Sequence, residues 1–456
     1  MKHFFTTPVL FLLSSFLLHP SAFPQGSLTP PGPPAPTMKT LQQIEPRIDL
    51  QNAPASAVTT TDANYQFIIT QAGSYYLSAN LGVTKPNGIL INAAGVTLDL
   101  NGFEISRASG SGGNGIEIAP TSQRAAVRNG SIRGFTNGID GLPSFVLFGA
   151  PGCSFRDLRV GGCTNIGISA PAGAVLESCL AQNNRGVAGI RAGIGASLTN
   201  CSARNNSPCD VGIFADFGST LNNCTASSNV GNFGIFVRGG SSLTNCSAIL
   251  NVGDASRSAG IGSGEHCTLI GCTSTSNASN APPSGDTGMG FDLGNYNNVQ
   301  KCTAGLNRGN GFLAGFGARI SDCSSTENGA LELGVGSGIS TLVRSVVSRC
   351  TANANTTSGI VVQGGSIVSE CTANTNGTGA GAGIDSRGGS GSRIEANQAR
   401  DNAGTGIATN STSSDIVIRN SAGGNTVANF SPASGANFAP LQSPSTATNP
   451  LANIAF

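Results

Sequence analysis

Apolar and polar positions along this chain follow a repeated order, and three consecutive stretches carry it almost unchanged. Gly189-Ile190 is followed by Leu198, Cys201, Ala203 and Asn206; Gly212-Ile213 by Leu221, Cys224, Ala226 and Asn229; Gly234-Ile235 by Leu243, Cys246, Ala248 and Asn251. Nine units, opening at Gly167, Gly189, Gly212, Gly234, Gly260, Gly290, Gly311, Gly338 and Gly359, place a cysteine twelve residues after the glycine. Each of those cysteines is followed five residues later by an asparagine, from Asn184 to Asn376. Units at Gly383 and Gly406 carry Asn397 and Asn420 in the cysteine slot, and looser units open at Gly88, Gly115 and Gly138, which makes fourteen. Self-similarity at this period marks a stacked-repeat architecture.

Two architectures fit the period, a leucine-rich repeat and a parallel β-helix. The first needs several leucines per unit and a helical return segment. These units offer one leucine, and no stretch carries apolar residues at i, i+3, i+4 and i+7 over a helix's length. Three short strands joined by tight bends fit better. The Gly-Ile pair opens the first strand and the column Leu198, Leu221, Leu243, Leu269, Val299, Ile320 lies on the second. The column Ala203, Ala226, Ala248, Ser274, Ala304 lies on the third, with cysteine or asparagine at the bend before it. The expectation is an all-β, single-stranded, right-handed parallel β-helix of about fourteen coils with short caps at both ends.

Outside the repeats the chain divides plainly. Residues 1–22 hold Lys2 and His3, an apolar run from Phe4 to Leu18, and Pro20-Ser21-Ala22, the layout of a cleaved secretory signal and too short to span a bilayer. Residues 23–37 carry Pro30, Pro31, Pro33, Pro34 and Pro36 and read as a stiff linker. The β-helix is expected over 38–427, with one helical turn from Thr40 to Glu45 closing its first coil. Residues 428–456 are expected to be a C-terminal cap, because an open solenoid end exposes core and strand edges.

The run Gly73-Ser74-Tyr75-Tyr76-Leu77, then Gly88-Ile89, Val96-Thr97-Leu98-Asp99-Leu100-Asn101-Gly102-Phe103 and Val127-Arg128-Asn129-Gly130, resembles the N-terminal half of secreted bacterial right-handed parallel β-helix repeat proteins, within the pectate-lyase-like superfamily. The closing Asn-Pro-Leu-Ala-Asn-Ile is similar to the ending of that group, with Leu451 where tryptophan would stand. The resemblance covers nearly the whole mature chain. It implies the fold and export, to the cell envelope, periplasm or exterior after signal cleavage; it implies no particular activity, since members of the group mostly have none assigned.

A formal charge of +1 removes any case for nucleic acid or an acidic membrane surface, and past the signal no segment spans a membrane; a monomer is expected. The thirteen cysteines admit three readings. A slot that accepts cysteine or asparagine is a packed inward position, so a column of buried thiols is expected. Some disulfide remains open, with Cys153 and Cys163 as the leading pair and Cys209 and Cys267 undecided. Metal is not expected: no Cys-x-x-Cys occurs, and ligands in a line do not surround an ion. The asparagine column reads as structural, through tolerance of the left-handed region and amide stacking.

Enzymes of the superfamily cleave acidic polysaccharides with clustered aspartates and calcium, or with grouped aspartates and a Gly-His-Gly motif; neither is legible here. His266 reads as a surface residue. What remains is a face. Side chains two residues after each leading glycine should point outward, giving Arg191, Phe214, Phe236, Gly262, Asp292 and Leu313, with Asp216 and Arg238 two further on. Arg191, Phe214, Asp216, Phe236 and Arg238 are therefore the candidate ligand-binding residues, for a polysaccharide or cell-surface glycan; aromatics that merely cover the scaffold are the competing reading. Lengthened stretches Val252 to Ala259, Ala278 to Met289 and Gly329 to Ser337 bring Asp254, Arg257, Asp286 and Glu332 towards Asp292. Two functions stay open: a non-catalytic exported β-helix that binds glycan, needing no cofactor, and a polysaccharide lyase or glycoside hydrolase with Asp254, Asp286 and Asp292 as catalytic candidates. Calcium enters only under the second. Carboxylates clustered within about 5 to 10 Å on one face would favour the enzyme.

Overall fold

Three strands per repeat, each one coil above the last, is the arrangement that lets every buried side chain rest on its own equivalent. The computed structural model describes residues 46–107, 112–141, 151–253, 257–280, 287–330, 335–378, 381–409, 414–431 and 437–456. Within them the isoleucines of the Gly-Ile pairs lie in register, Ile168 on Ile190, Ile213, Ile235 and Ile261, followed by Phe291, Phe312 and Ile339. The two phenylalanine rings stack with centroids 4.6 Å apart and planes 3° from parallel. The second sheet stacks Leu176, Leu198, Leu221, Leu243, Leu269, Val299 and Ile320, and the third stacks Ala181, Ala203, Ala226, Ala248, Ser274 and Ala304. All are buried. The chain is an all-β parallel solenoid, as its repeat requires.

Each corner between sheets turns on one residue in the left-handed region. The first corner uses glycine at Gly195, Gly218 and Gly240 but His266 and Tyr296 further along. The second uses Asn200, Asn223 and Asn245, the residues before the cysteines, and the third uses Asn183, Asn205 and Ser228, the residues before the ladder asparagines. The left-handed preference thus belongs to the residue preceding each ladder position. That corrects the expectation placed on the asparagine column itself, whose members keep ordinary backbone and point inward.

Three inward ladders run along the corners. In the asparagine ladder, Asn206 donates from its backbone N and its Nδ2 to Oδ1 of Asn229 (3.1 and 2.8 Å), and Asn229 does the same to Asn251 (3.2 and 2.9 Å). The remaining amide proton goes to a backbone oxygen, as from Asn229 to Ala203 (3.0 Å). Every polar group is satisfied without water, which is what burial demands. In the second ladder the backbone N of Cys272 donates to Sγ of Cys302, and that of Cys302 to Sγ of Cys323, both at 3.4 Å. The thiol column passes into asparagine where Cys371 N donates to Oδ1 of Asn397 (2.9 Å), and continues through Asn420 to Asn453. The first corner holds Ser219, Ser241, Cys267 and Asn297, with Cys267 N donating to Asn297 Oδ1 at 2.6 Å.

No disulfide joins any of the thirteen buried cysteines. Cys153 and Cys163, the leading candidates for a bridge, belong to different corners. Cys163 heads the asparagine ladder, its backbone N donating to Asn184 Oδ1 at 3.0 Å, and Cys153 faces the Ser122 carbonyl one coil back.

At the N-terminal end Ile48–Asp49 adds to the second sheet beside Tyr75 and Tyr76, and Val58–Thr59 pairs antiparallel with Ile68 and Ile69. The expected turn from Thr40 to Glu45 lies outside the described residues; a 3-10 turn at Leu50–Asn52 buries Leu50 under the first coil. Asp99, from the motif shared with the β-helix group, is structural. It accepts from Asn101 N (2.8 Å), Arg128 Nε (3.2 Å) and Asn129 Nδ2 (3.2 Å), clamping its bend to the next. At the other end the last residues build strands: Ala428–Ser431, Asn437–Phe438 and Asn453–Ala455 join the first, second and third sheets, and Leu441–Gln442 lies over Asn453–Ala455.

Candidate functional site

The outer column of the first sheet is fixed by the inward isoleucines beside it. In register along it stand Glu117, Asp140, Ser169, Arg191, Phe214, Phe236, Gly262, Asp292 and Leu313. Successive coils therefore present an acid pair, a hydroxyl, a cation, two aromatics and a bare backbone within one line.

Phe214 and Phe236 are half-buried, their centroids 6.1 Å apart and planes 17° from parallel. Phe233 packs on Phe236 at 4.9 Å. Gly262 makes room for both rings: a Cβ there would lie 2.7 Å from Phe233 and 2.8 Å from Phe236. The Arg238 guanidinium sits 5.6 Å from the Phe214 ring and 5.3 Å from that of Phe217, and pairs with Asp216 at 3.4 Å. Asp216 is itself nearly buried and accepts from Phe217 N at 2.9 Å. Asp216 and Arg238 thus hold each other beside Phe214 and Phe217, and Phe217, the most exposed ring of the group, was not among the residues singled out from the sequence.

Beside Phe214 lies a cavity of about 300 Å³ lined by Val187, Arg191, Asp210, Val211 and Phe214. It opens across the strands Gly186–Ala192 and Cys209–Ala215, seven residues each, which extend past the corner and set Val187 and Asp210 at its rim. One aromatic and two aliphatic walls with one cation and one carboxylate is the composition of a small polar-ligand pocket.

Of the three catalytic candidates, Asp292 alone falls within the described residues. Asp292 is buried beneath a two-pronged ion pair, accepting from Nε and Nη2 of Arg257 at 2.6 and 2.5 Å. Asp254, Asp286 and Glu332 lie outside the described residues. His266 is exposed, its ring edge-on to Tyr296 at 5.1 Å. A carboxylate pair does exist elsewhere on the column. Asn114 Nδ2 donates to Glu117 at 2.8 Å and faces Asp140 at 3.4 Å, which sets these oxygens within about 6 Å of each other. Tyr65 donates to Glu117 at 2.8 Å, and burial together with that carboxylate raises the phenol's pKa. The signal was legible: Asn114-Gly115-Ile116-Glu117 and Asn137-Gly138-Ile139-Asp140 carry the acid two residues after the leading glycine, the offset that yields Phe214. Among the described residues no three His, Cys, Asp or Glu side chains come together as metal ligands, and no helix is long and apolar enough to cross a membrane.

No protein-family profile matches the chain, and no curated protein does. Solved structures similar to it include a mutant of the periplasmic alginate epimerase AlgG, at 10% identity over 91% of this chain and 82% of that one, TM-score 0.31. The A-module of the Azotobacter vinelandii mannuronan C-5 epimerase AlgE4 matches at 13% identity over 79% and 91%, TM-score 0.33. Pectate lyase Pel9A matches at 13% over 84% and 80%, TM-score 0.30. The strand register by itself makes this chain a parallel β-helix.

Proposed function

We propose that the protein is an exported β-helix that holds a polysaccharide along the outer face of its first sheet without cleaving it. The observation that carries this reading is the cavity beside Phe214. A sugar ring laid on Phe214 and the two valines has Arg191 to donate to its oxygens and Asp210 to accept from its hydroxyls. Strands about 4.8 Å apart repeat at close to the length of one sugar unit, so a chain lying along the axis meets one coil per residue. The apolar leader of residues 1–22 supports export, and the protein is expected to act as a monomer without a cofactor.

Affinity electrophoresis through gels containing alginate, pectate or neutral glucans tests this. Retardation in at least one gel is expected, lost in Asp210→Ala and Phe214→Ala while circular dichroism stays unchanged. Equal mobility of wild type in every gel, or of the variants and wild type in all of them, sinks the reading.

The carboxylate pair favours a second reading, a polysaccharide lyase or hydrolase centred on Glu117 and Asp140 rather than on Asp292. Calcium belongs to that reading alone. Release of unsaturated or reducing ends that disappears in Glu117→Gln would establish it over the first.

A further inference from the structure

Away from the first sheet, the second corner changes character near its start. From Cys179 onward the corner is stacked with thiols, but the two coils before it pass through as unbroken eight-residue strands, Ala126–Arg133 and Ser154–Gly161. Gly130 and Leu158 occupy the cysteine slot there, in register with each other. A side chain at 130 is excluded because its Cβ would lie 2.3 Å from that of Leu100, which already fills the core at this level. On the outer side of this stretch is a cavity of about 550 Å³, whose polar lining is Asn129, Ser131, Asp157, Arg159 and Ser178. Asn129, Asp157 and Ser178 are successive left-handed corner residues, at φ 59°, 51° and 54°, and Arg159 follows Ser131 one coil on.

The charges on this face are otherwise accounted for. Arg156 pairs with Glu177 at 3.3 Å, Arg133 with Glu104 at 3.3 Å, and Arg128 with Asp99 at 3.2 Å, each across one coil. Asp157 and Arg159 line the cavity and make no side-chain hydrogen bond or ion pair with any described residue. Two opposite charges, an amide and two hydroxyls facing one space form a lining with no net charge and with donors and acceptors at several points.

We infer that this corner cavity is a second carbohydrate site, separate from the first-sheet face and selective for a neutral pyranose. A carboxylate accepts from two adjacent hydroxyls at once, and a guanidinium donates to a ring oxygen and its neighbour. An anionic sugar is disfavoured, because any carboxylate drawn to Arg159 also meets Asp157.

Saturation-transfer NMR with methyl α-mannopyranoside, methyl β-glucopyranoside and glucuronate tests the inference. Transfer to at least one neutral glycoside is expected, with affinity falling about tenfold or more in Asp157→Asn and in Arg159→Gln. Asparagine already occupies the equivalent corner position at Asn129 and Asn200, so Asp157→Asn keeps the bend. Phe214→Ala should leave this transfer intact, which separates the site from the first-sheet reading: either can fail alone. Absence of transfer to both neutral glycosides, stronger binding of glucuronate, or equal affinity in the wild type and both corner variants overturns the proposal.

Discussion

The Cβ that Gly212 lacks would stand 2.7 Å from Nδ2 of Asn229, the asparagine of its own coil, and 2.6 Å from the carbonyl oxygen of Gly234 in the next. The same contact recurs at Gly189 with Asn206 and at Gly359 with Asn376. None of these glycines has a left-handed backbone, so the requirement is for space. Glycine and asparagine in the repeat are one device: the amide that links coils occupies the room a side chain at the glycine would need.

Gly212→Ala is accordingly expected to destabilise by about 2 to 3 kcal/mol, by forcing the amide and the next strand apart. Asn229→Ala should cost about 2 to 4 kcal/mol, since the backbone N and Nδ2 of Asn206 both lose their buried acceptor. The double variant should fall short of the sum, because the alanine at 212 then has part of the vacated space. Urea unfolding of the three variants measures this; strict additivity would show that glycine and asparagine act independently.

That coupling explains what could be read from the sequence. Identical neighbours stack on identical neighbours, so a fixed spacing of Gly, Leu, Cys and Asn prints the three sheets and two of the ladders directly. The first-corner ladder was hidden because it accepts Ala, Ser, Cys, Asn and Asp in turn and leaves no constant letter, which is how Cys153 and Cys267 escaped placement. Side-chain partners were harder still. Spacing puts Phe214, Phe236 and Asp292 in one outward column, but it does not show that Arg257 covers Asp292 or that Phe233 lies on Phe236. The first contact reaches from a bend to a strand and the second runs along one strand, Phe233–Val237, and the repeat spacing fixes neither.

The thiols offer a test in pH. Burial raises the Cys163 thiol from an ordinary 9.0 to about 11, and buried ladder thiols with no cation beside them are likewise held protonated. A raised thiol pKa means that the folded state keeps a proton the unfolded chain releases. The stability this supplies is complete below about pH 9 and is lost as pH rises through 11. The urea midpoint should thus stay level from neutral pH to about 9 and then decline. Thiol reagent should find few groups before unfolding and most after it, and Cys246→Ala should cost about 1 to 2 kcal/mol. A midpoint that rises towards pH 11 would contradict this account of the column.

Arg257→Ala should lower stability by about 1 to 2 kcal/mol, because Asp292 stays nearly buried while its partner, largely exposed, disappears. Asp292→Asn should do less, keeping the shape and removing the charge. Thermal melts of the pair decide it: a larger loss in Asp292→Asn would mean that the carboxylate has some other task.

Asn453 closes the second ladder. Its Oδ1 accepts from the backbone N and Nδ2 of Asn420, both at 3.1 Å, and its Nδ2 donates to Val417 O at 2.9 Å. Asn453→Ala should cost about 1 to 3 kcal/mol and speed hydrogen exchange at the amide of Asn420, with coils near Asn229 unaffected. Uniform acceleration along the chain would instead show that the stack opens as a single unit.

The corner residues carry one more implication, which concerns what the scaffold can display. Lys301, Asp322, Arg349, Glu370 and Arg419 all hold the left-handed turn of the second corner. The coil above and below imposes that backbone, so the side chain is left to chemistry alone. The result is a rail of interchangeable pegs at the strand spacing of about 4.8 Å. A line of charges, rings or amides can be rewritten along it one peg at a time, each at a cost of about 1 kcal/mol of local backbone strain and without disturbing the core. Seen as material, the protein is a ruler whose graduations can be chosen.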